Sequence, residues 1–226
     1  ATQTSIELNF RTGYSLAPSD QIPQMNAAQH NTYMNEVLFS TGTHEEDIRE
    51  SYPTLFMEED DPRWIDYQHD THWQDAIFNN AFLYNMNVKV KGGDEIARYG
   101  LSFGYLKSDG IIETTGFQGY NLRFISRLNI FTWLKMDAGV SLNYNSAELK
   151  EAAVVKETSP IISALAKSPM LNPYQYDLEG RELTTLSEVD GIGVSNPLAT
   201  IQNYKAHNNN YSFTSNICLL YTSPSP

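Results

Sequence analysis

Hydrophobic and polar residues alternate along four consecutive segments between residues 80 and 145. In the first segment, the apolar side chains are those of Tyr84, Met86, Val88 and Val90. The residues between them are polar or charged: Asn85, Asn87, Lys89 and Lys91. A side-chain period of two places each set on one face of a β-strand. With similar segments near both ends of the chain, the pattern predicts six antiparallel strands, at 4–14, 81–92, 96–107, 118–131, 134–146 and 205–217.

The lengths of these segments and of their connections favour one kind of sheet. Strands of about ten residues are long enough to cross a bilayer at a tilt, and aromatic residues lie near the strand ends. Short turns at Gly92–Asp94 and 131–133 alternate with longer connections, the longest at 15–80 and 147–204. Outer-membrane barrels have this asymmetry. Soluble sheets with one polar face also alternate, so a β-sandwich remains the alternative.

In a barrel, the two faces of the sheet have different surroundings. The apolar set is expected to face lipid and consists of Tyr84, Met86, Val88, Leu101, Phe103, Leu122, Phe124, Val140 and Leu142. Cationic side chains of the opposite set are expected to face the lumen, namely Lys89, Arg98, Arg123 and Arg127.

The two longest connections are expected to contain short helices and to carry function. Apolar spacing predicts helices at 26–39, 45–51 and 73–78, and a further one at 160–166. Trp64, Tyr67 and Trp73 follow the acidic run Glu58–Asp61. Their rings could stack on sugars or hold peptide side chains, or they could form a small core of the connection itself, which is the commoner use of such rings.

The sequence offers little for metal binding or catalysis. The acidic run with Asp66 and Asp70 could bind calcium, but its spacing fits no EF-hand loop, and a solvated surface is the simpler interpretation. His69 and His72 have the spacing of a zinc pair but are better explained as unrelated surface residues. No nucleophile elbow or phosphate-binding glycine loop is present. We therefore expect no enzyme activity, no metal and no cofactor.

Composition narrows the class of partner. The 226 residues carry a formal charge of −12, which argues against nucleic acid because phosphate binding needs clustered Lys and Arg. No window approaches the ~18 consecutive apolar residues of a transmembrane helix. Aromatic residues make up 12% of the chain, including 14 tyrosines, as expected for interfacial girdles or for a carbohydrate-binding domain.

Three motifs in order resemble the SusC/RagA family of TonB-linked outer-membrane transporters. They are the segment Asp70–Phe78 with its Trp-Gln-Asp core, the strand and turn Asn85–Gly93, and the strand Arg98–Leu106 followed by Asp109–Ile112. Lys89 and Lys91 stand where serine is commoner in the family. A weaker resemblance extends from about residue 4 to residue 217 and includes Asn172–Gly180 and Asn196–Ala199.

The resemblance implies an all-β fold: a fragment of an antiparallel transmembrane β-barrel, about six strands in an open sheet, with long loops containing short helices. It implies a location in the outer membrane of a Gram-negative bacterium of the Bacteroidetes type, in contact with the lipid bilayer. The implied function is TonB-dependent import of oligosaccharides or oligopeptides together with a SusD-like surface lipoprotein. Trp64, Tyr67 and Trp73 then become candidate contacts for cargo or for this lid protein. The alternative is a soluble or secreted β-sandwich that binds carbohydrate.

The resemblance also suggests how the chain divides. Residues 1–217 are expected to be the N-terminal part of the barrel, with the signal peptide, the plug domain and the segment that contacts TonB upstream, and the remaining barrel downstream. Residues 218–226 resemble a translated sequencing adapter and are expected to be an artefact. They contain the single cysteine, Cys218, so the chain gives no signal of disulfide chemistry.

Overall fold

A six-stranded antiparallel sheet is the largest element of the chain. The structure, a computed structural model, describes residues 2–150, 159–177, 179–187, 190 and 193–222. The strands are β1 Thr2–Ser15, β2 Ala81–Gly93, β3 Ala97–Asp109, β4 Gly116–Phe131, β5 Leu134–Leu149, β6 Tyr174–Tyr176, β7 Glu182–Leu186 and β8 Ala206–Tyr221. The helices are α1 Ala27–Ser40, α2 Glu45–Ser51, α3 Trp64–Tyr67, α4 Trp73–Ile77, α5 Pro160–Ala166 and α6 Pro197–Asn203, with a 3₁₀ turn at Pro53–Leu55.

The sheet has the strand order β1-β2-β3-β4-β5-β8, and every neighbouring pair is antiparallel. All six predicted strands are confirmed, each within a few residues of its predicted bounds. Among the described residues, β1 and β8 each pair with a single neighbour, so the sheet is open. The last strand runs to Tyr221 and therefore includes four residues of the segment expected to be an artefact; the pairing does not test the origin of that segment.

The register sorts the side chains into the two predicted faces. Val88 lies opposite Phe103, Phe103 opposite Leu122, and Leu122 opposite Leu142. Directly paired residues share a face, so this row and its neighbours form one apolar face. Several of its side chains are exposed, including Leu101 at 41% and Leu142 at 46%. An apolar patch of this extent on a folded chain marks an interaction surface.

Aromatic residues mark both ends of the apolar face. Towards the long connections, Tyr105, Tyr120, Tyr144 and Tyr211 occupy directly paired positions on four strands, with ring centroids 4.7–6.2 Å apart. At the short turn between β4 and β5, the rings of Phe131 and Trp133 stack at 5.2 Å. About eleven residues separate the two bands along β4, which is roughly 35 Å of strand. At a tilt near 45° this covers about 25 Å, the height of the lipid-facing band of an outer-membrane barrel.

The chain leaves the sheet for both long connections at the same end. Ser15 pairs with Ala81, and Leu149 pairs with Ala206. Asp109 and Gly116, which bound the connection between β3 and β4, are paired at that end too. The short turns after Gly93 and Phe131 lie at the opposite end. The predicted separation of long and short connections is thereby confirmed at the level of the strand ends.

The chain divides into two compact units. The sheet unit comprises residues 1–17, 80–149 and 206–226, and the loop unit comprises residues 18–79 and 150–205. The predicted helices at 26–39, 45–51, 73–78 and 160–166 correspond to α1, α2, α4 and α5, whereas α3, α6 and the hairpin β6–β7 were not predicted. Of the helices that the structure describes, none has the length and apolar character needed to cross a membrane.

Candidate functional site

The loop unit is built from both long connections, which pack together around a common core. Helices α4, α5 and α6 contact one another. Their buried apolar side chains are those of Trp73, Ile77, Ala164, Leu198 and Ile201. Helices α5 and α6 begin with a proline after a capping residue, Ser159 and Asn196 respectively. Such starts fix where each short helix begins and therefore which side chains enter the core.

Backbone hydrogen bonds join the two connections beside this core. The amide of His69 donates to the carbonyl of Met170 at 3.1 Å, and the amide of Thr71 donates to that of Pro169 at 2.8 Å. The indole Nε1 of Trp73 donates to the carbonyl of Ser168 at 2.9 Å. Buried donors and acceptors are costly when unpaired. These bonds therefore hold segments about 100 residues apart in one fixed arrangement.

A buried ion pair lies in the second of these segments. The Nζ of Lys167 is 3.7 Å from Oδ2 of Asp190, and both side chains are almost fully buried. Lys167 also donates to the carbonyl of Val194 at 2.6 Å, and the amide of Val194 donates to Asp190 Oδ1 at 2.7 Å. Burial lowers the pKa of the Lys167 ammonium, while attraction to Asp190 opposes the change. The pair and its hydrogen bonds hold Asp190 and Val194 against the end of α5.

A groove of about 410 Å³ opens between the first turn of α1, the start of α4 and the end of α5. Apolar and aromatic side chains supply most of its wall, including Ile22, Met25, Tyr33, Met34, Leu165 and Pro169. His30, Thr71 and His72 add polar groups. A concave, largely apolar surface with a few polar groups has the character of a binding site. We refer to it as the α1–α5 groove.

The three aromatic residues singled out from the sequence have different environments. Trp64 and Tyr67 are half-buried on α3, whereas Trp73 is only 1% exposed. The burial of Trp73 favours the alternative that the ring belongs to a small core of the connection, where its nitrogen is bonded to Ser168. Trp73 also lines the α1–α5 groove. Sequence reasoning missed Met25 and Met34 of the groove: Met34 lies on α1, and Met25 directly precedes its N-cap, Asn26. Their only signal was apolar spacing in and beside the predicted helix.

The acidic run and the two histidines were weighed above as metal ligands. Among the described residues, no group of three or more His, Cys, Asp or Glu side chains is arranged to hold an ion. The ring of His69 stacks on Tyr176 with centroids 5.0 Å apart, while His72 is exposed at the groove. The two histidine side chains therefore have different surroundings.

The polar face of the sheet carries the four predicted cations. Near the short turns, a depression of about 600 Å³ is lined by Arg98, Arg123 and Arg127 together with Lys91 and Asp137. Arg98 lies directly opposite Arg127, a pairing of like charges that is unfavourable by itself. Asp137 relieves it by accepting two bonds from Arg127, at 2.7 Å from Nε and 3.0 Å from Nη2. Lys89 lies on the same face, in register with Ser102 and Arg123.

The sequence matches no family model. It is 29% identical over 144 residues to a TonB-dependent receptor of Formosa agariphila, an alignment that covers 64% of this chain and 13% of the receptor. The chain thus spans about an eighth of the length of this curated relative.

Solved structures with a similar fold belong to a transporter system. The RagAB peptide transporter matches 97% of the chain with a TM-score of 0.69 and 16% identity. The RagAB peptide importer in its open-open state matches 99% with a TM-score of 0.69 and 17% identity. This chain covers 26% of each matched chain. The resemblance that the motifs predicted is confirmed: the chain is similar to a TonB-dependent receptor in sequence and to RagAB chains in fold.

Proposed function

We propose that this chain is part of the wall of a transmembrane β-barrel in an outer-membrane, TonB-dependent importer. The apolar face between its two aromatic bands carries the proposal. Its exposed side chains, the band height of about 25 Å and the opposite polar face fit a strand wall between lipid and lumen. Tyr84, Met86, Val88, Leu101, Phe103, Leu122, Phe124, Val140 and Leu142 would contact lipid, and Lys89, Arg98, Arg123 and Arg127 would face the lumen.

The alternative of a soluble carbohydrate-binding β-sandwich is less well supported. A sandwich buries the apolar face of one sheet against another sheet, about 10 Å away. Here Leu101, Leu122 and Leu142 are each at least 40% exposed. A soluble protein would leave this surface in contact with water, whereas a bilayer would cover it.

The similar proteins support TonB and peptides, and the resemblance of the motifs supports the rest of the proposed cargo and partners. Oligopeptides or oligosaccharides are the proposed cargo, and a SusD-like lipoprotein is the proposed lid. Long connections of such barrels lie outside the cell, so the loop unit, with Trp64 and Tyr67, is the part placed to meet cargo or lid. TonB would act through segments outside this chain. The role is transport without covalent chemistry.

A site-directed spin-labelling experiment tests the lipid contact. Leu122→Cys and Arg123→Cys, each in the complete protein with any other cysteine replaced by Ser, are labelled and reconstituted in liposomes. Molecular oxygen concentrates in lipid, whereas a nickel chelate stays in water. We expect high oxygen collision rates at position 122 and low ones at position 123. Similar collision rates for both reagents at the two positions would contradict the barrel.

Transport itself needs a separate measurement. Cells that express the complete importer and its lipoprotein are supplied with short labelled peptides, with and without a functional TonB gene. We expect uptake that is lost when TonB is absent. Uptake that continues unchanged without TonB would contradict the proposed mechanism, even if the spin labels confirm the barrel.

A further inference from the structure

The negative charge of the chain is concentrated in one of its two units. Residues 18–79 and 150–205 contain 20 of the 27 acidic residues and seven of the 15 basic ones. The loop unit therefore has a formal charge of −13, and the rest of the chain has +1. A surface of one sign attracts ligands of the opposite sign and raises their association rate. The overall charge of −12 alone does not reveal this asymmetry.

The few basic side chains of the loop unit are largely engaged. Arg49, Arg63 and Arg181 form ion pairs with acidic neighbours close to them in sequence. Lys150 donates to the carbonyls of Ile201 and Tyr204, and Lys167 is buried with Asp190. Among the basic residues that the structure describes in this unit, Lys205 alone has no such contact. The basic side chains that the structure describes in this unit therefore leave most of its described acidic side chains without an ion pair.

Two exposed carboxylates lie close in sequence to residues that line the α1–α5 groove, although neither lines it. Asp70 directly precedes Thr71 and His72 of the groove wall, and Asp75 follows Trp73 on α4. Both are exposed. One oxygen of each accepts a hydrogen bond, from the Ala27 amide to Asp70 at 2.8 Å and from Gln21 Nε2 to Asp75 at 2.6 Å. These bonds hold the carboxylates in place, and the second oxygen of each has no hydrogen-bond partner among the described residues.

We propose that the α1–α5 groove binds basic oligopeptides, with the aliphatic stems of Lys or Arg side chains against its apolar wall and their charged ends near Asp70 and Asp75. This inference rests on the import function proposed above and specifies its substrate class. Long basic side chains combine an apolar stem with a charged tip, which matches the two kinds of surface here. The unbranched side chains of Met25 and Met34 adapt to different partners, as a groove that accepts varied peptides requires.

Two other classes of ligand fit this surface less well. A neutral oligosaccharide would gain nothing from the charge of −13. An acidic oligosaccharide or peptide would be repelled by it. Basic peptides are the class that the net charge of the unit attracts and whose aliphatic side-chain stems suit the apolar part of the groove wall.

Three matched peptides test the proposal: Ala-Lys-Ala-Lys-Ala, Ala-Gln-Ala-Gln-Ala and Ala-Glu-Ala-Glu-Ala, each with the same small label. Their import rates are compared in cells that express the complete importer and its lipoprotein. At low ionic strength we expect the basic peptide to enter at least about tenfold faster than the acidic one. This ratio should fall as salt is added, because screening weakens the attraction.

Substitutions locate the effect. Asp70→Asn with Asp75→Asn removes two charges beside the groove and keeps an oxygen for each observed hydrogen bond. The control is Glu46→Gln with Asp47→Asn, an exposed acidic pair on α2, a helix that contributes no residue to the groove. We expect the groove pair to reduce import of the basic peptide about two- to fivefold per carboxylate, as for exposed ion pairs. The control should have a much smaller effect.

Each outcome bears on the proposal. Equal import of the three peptides overturns it but leaves the import function standing, whereas no import of any peptide contradicts peptide import itself. If the groove substitutions and the control substitutions reduce the preference for the basic peptide equally, the groove is not the binding site. The proposal is also overturned if the groove substitutions reduce import of the neutral peptide as much as that of the basic peptide. In that case charge would not be the cause of the reduction.

Discussion

Trp73 and Ser168 are joined by a 2.9 Å hydrogen bond from the indole nitrogen to the backbone carbonyl, across 95 positions of sequence. Each residue belongs to a different long connection of the sheet. The indole ring is 1% exposed, so the bond lies in the core of the loop unit. This bond is therefore one of the contacts that join the two connections in a single unit.

Trp73→Phe is expected to destabilise the loop unit by about 1–3 kcal/mol, because the Ser168 carbonyl stays buried and loses its donor. Hydrogen exchange of the amides of His69 and Thr71 in the complete protein measures the change. Trp64→Phe is the matched control, because Trp64 is half-buried and its ring has no hydrogen bond among the described residues. If the amides of His69 and Thr71 exchange equally slowly in both variants, the bond does not stabilise the loop unit.

Lys167→Met should destabilise the same unit by about 3–5 kcal/mol, because Asp190 then remains buried without its cationic partner. Adding Asp190→Asn removes that charge and should restore part of the loss while keeping the acceptor for the Val194 amide. Lys205→Met, at an exposed position, should change stability by less than about 0.5 kcal/mol. Urea unfolding followed by tryptophan fluorescence provides the comparison. A double variant as unstable as Lys167→Met would show that the charge of Asp190 is not the cause.

The stability of the loop unit should fall in mildly acidic solution. Burial lowers the pKa of His30, with attraction to Asp190 acting in the opposite direction, and its Nδ1 is buried without a hydrogen-bond partner in the described structure. The unfolded chain therefore binds a proton more readily than the folded one. Stability is lost as the pH falls below the ordinary histidine pKa, near 6.5, through the lowered value.

His30→Gln tests this dependence. The variant should lose less stability than the parent protein between pH 7.5 and pH 5, measured as the shift in the urea midpoint. His44→Gln serves as the control, because His44 is exposed before α2. The assignment to His30 would be wrong if both variants kept the full pH dependence of the parent.

Adjacent positions on β5 test the two faces of the proposed barrel. Leu142 pairs with Leu122 and Phe213 on the apolar face, and Asn143 pairs with Asn121 and Ser212 on the polar face. Leu142→Arg should cost about 2–4 kcal/mol if the site lies near the middle of the bilayer. Asn143→Arg should cost much less. Reversible unfolding of the complete protein in lipid gives both values, and similar costs would count against a lipid-facing Leu142.

The sequence by itself determined the strands of the sheet and their faces. Alternation with a period of two is a local property, and a one-residue shift would move every apolar side chain to the wrong face. Short turns such as Gly92–Asp94 then fix how neighbouring strands pair. For this reason β2 and β5 are found within three residues of their predicted bounds. The short helix α6 and the hairpin β6–β7 were not predicted, because segments of so few residues show no clear hydrophobic periodicity.

Only the tertiary structure decided what the long connections do. Their sequences do not show that Trp73 meets Ser168, or that Lys167 meets Asp190, because such contacts join distant segments with no shared periodicity. The same is true of the α1–α5 groove, whose walls come from both connections. Charge counted along the sequence also gave only the total of −12, until the fold divided it into −13 on the loop unit and +1 elsewhere. Strand patterns follow from neighbouring residues, whereas this unit depends on packing between distant ones.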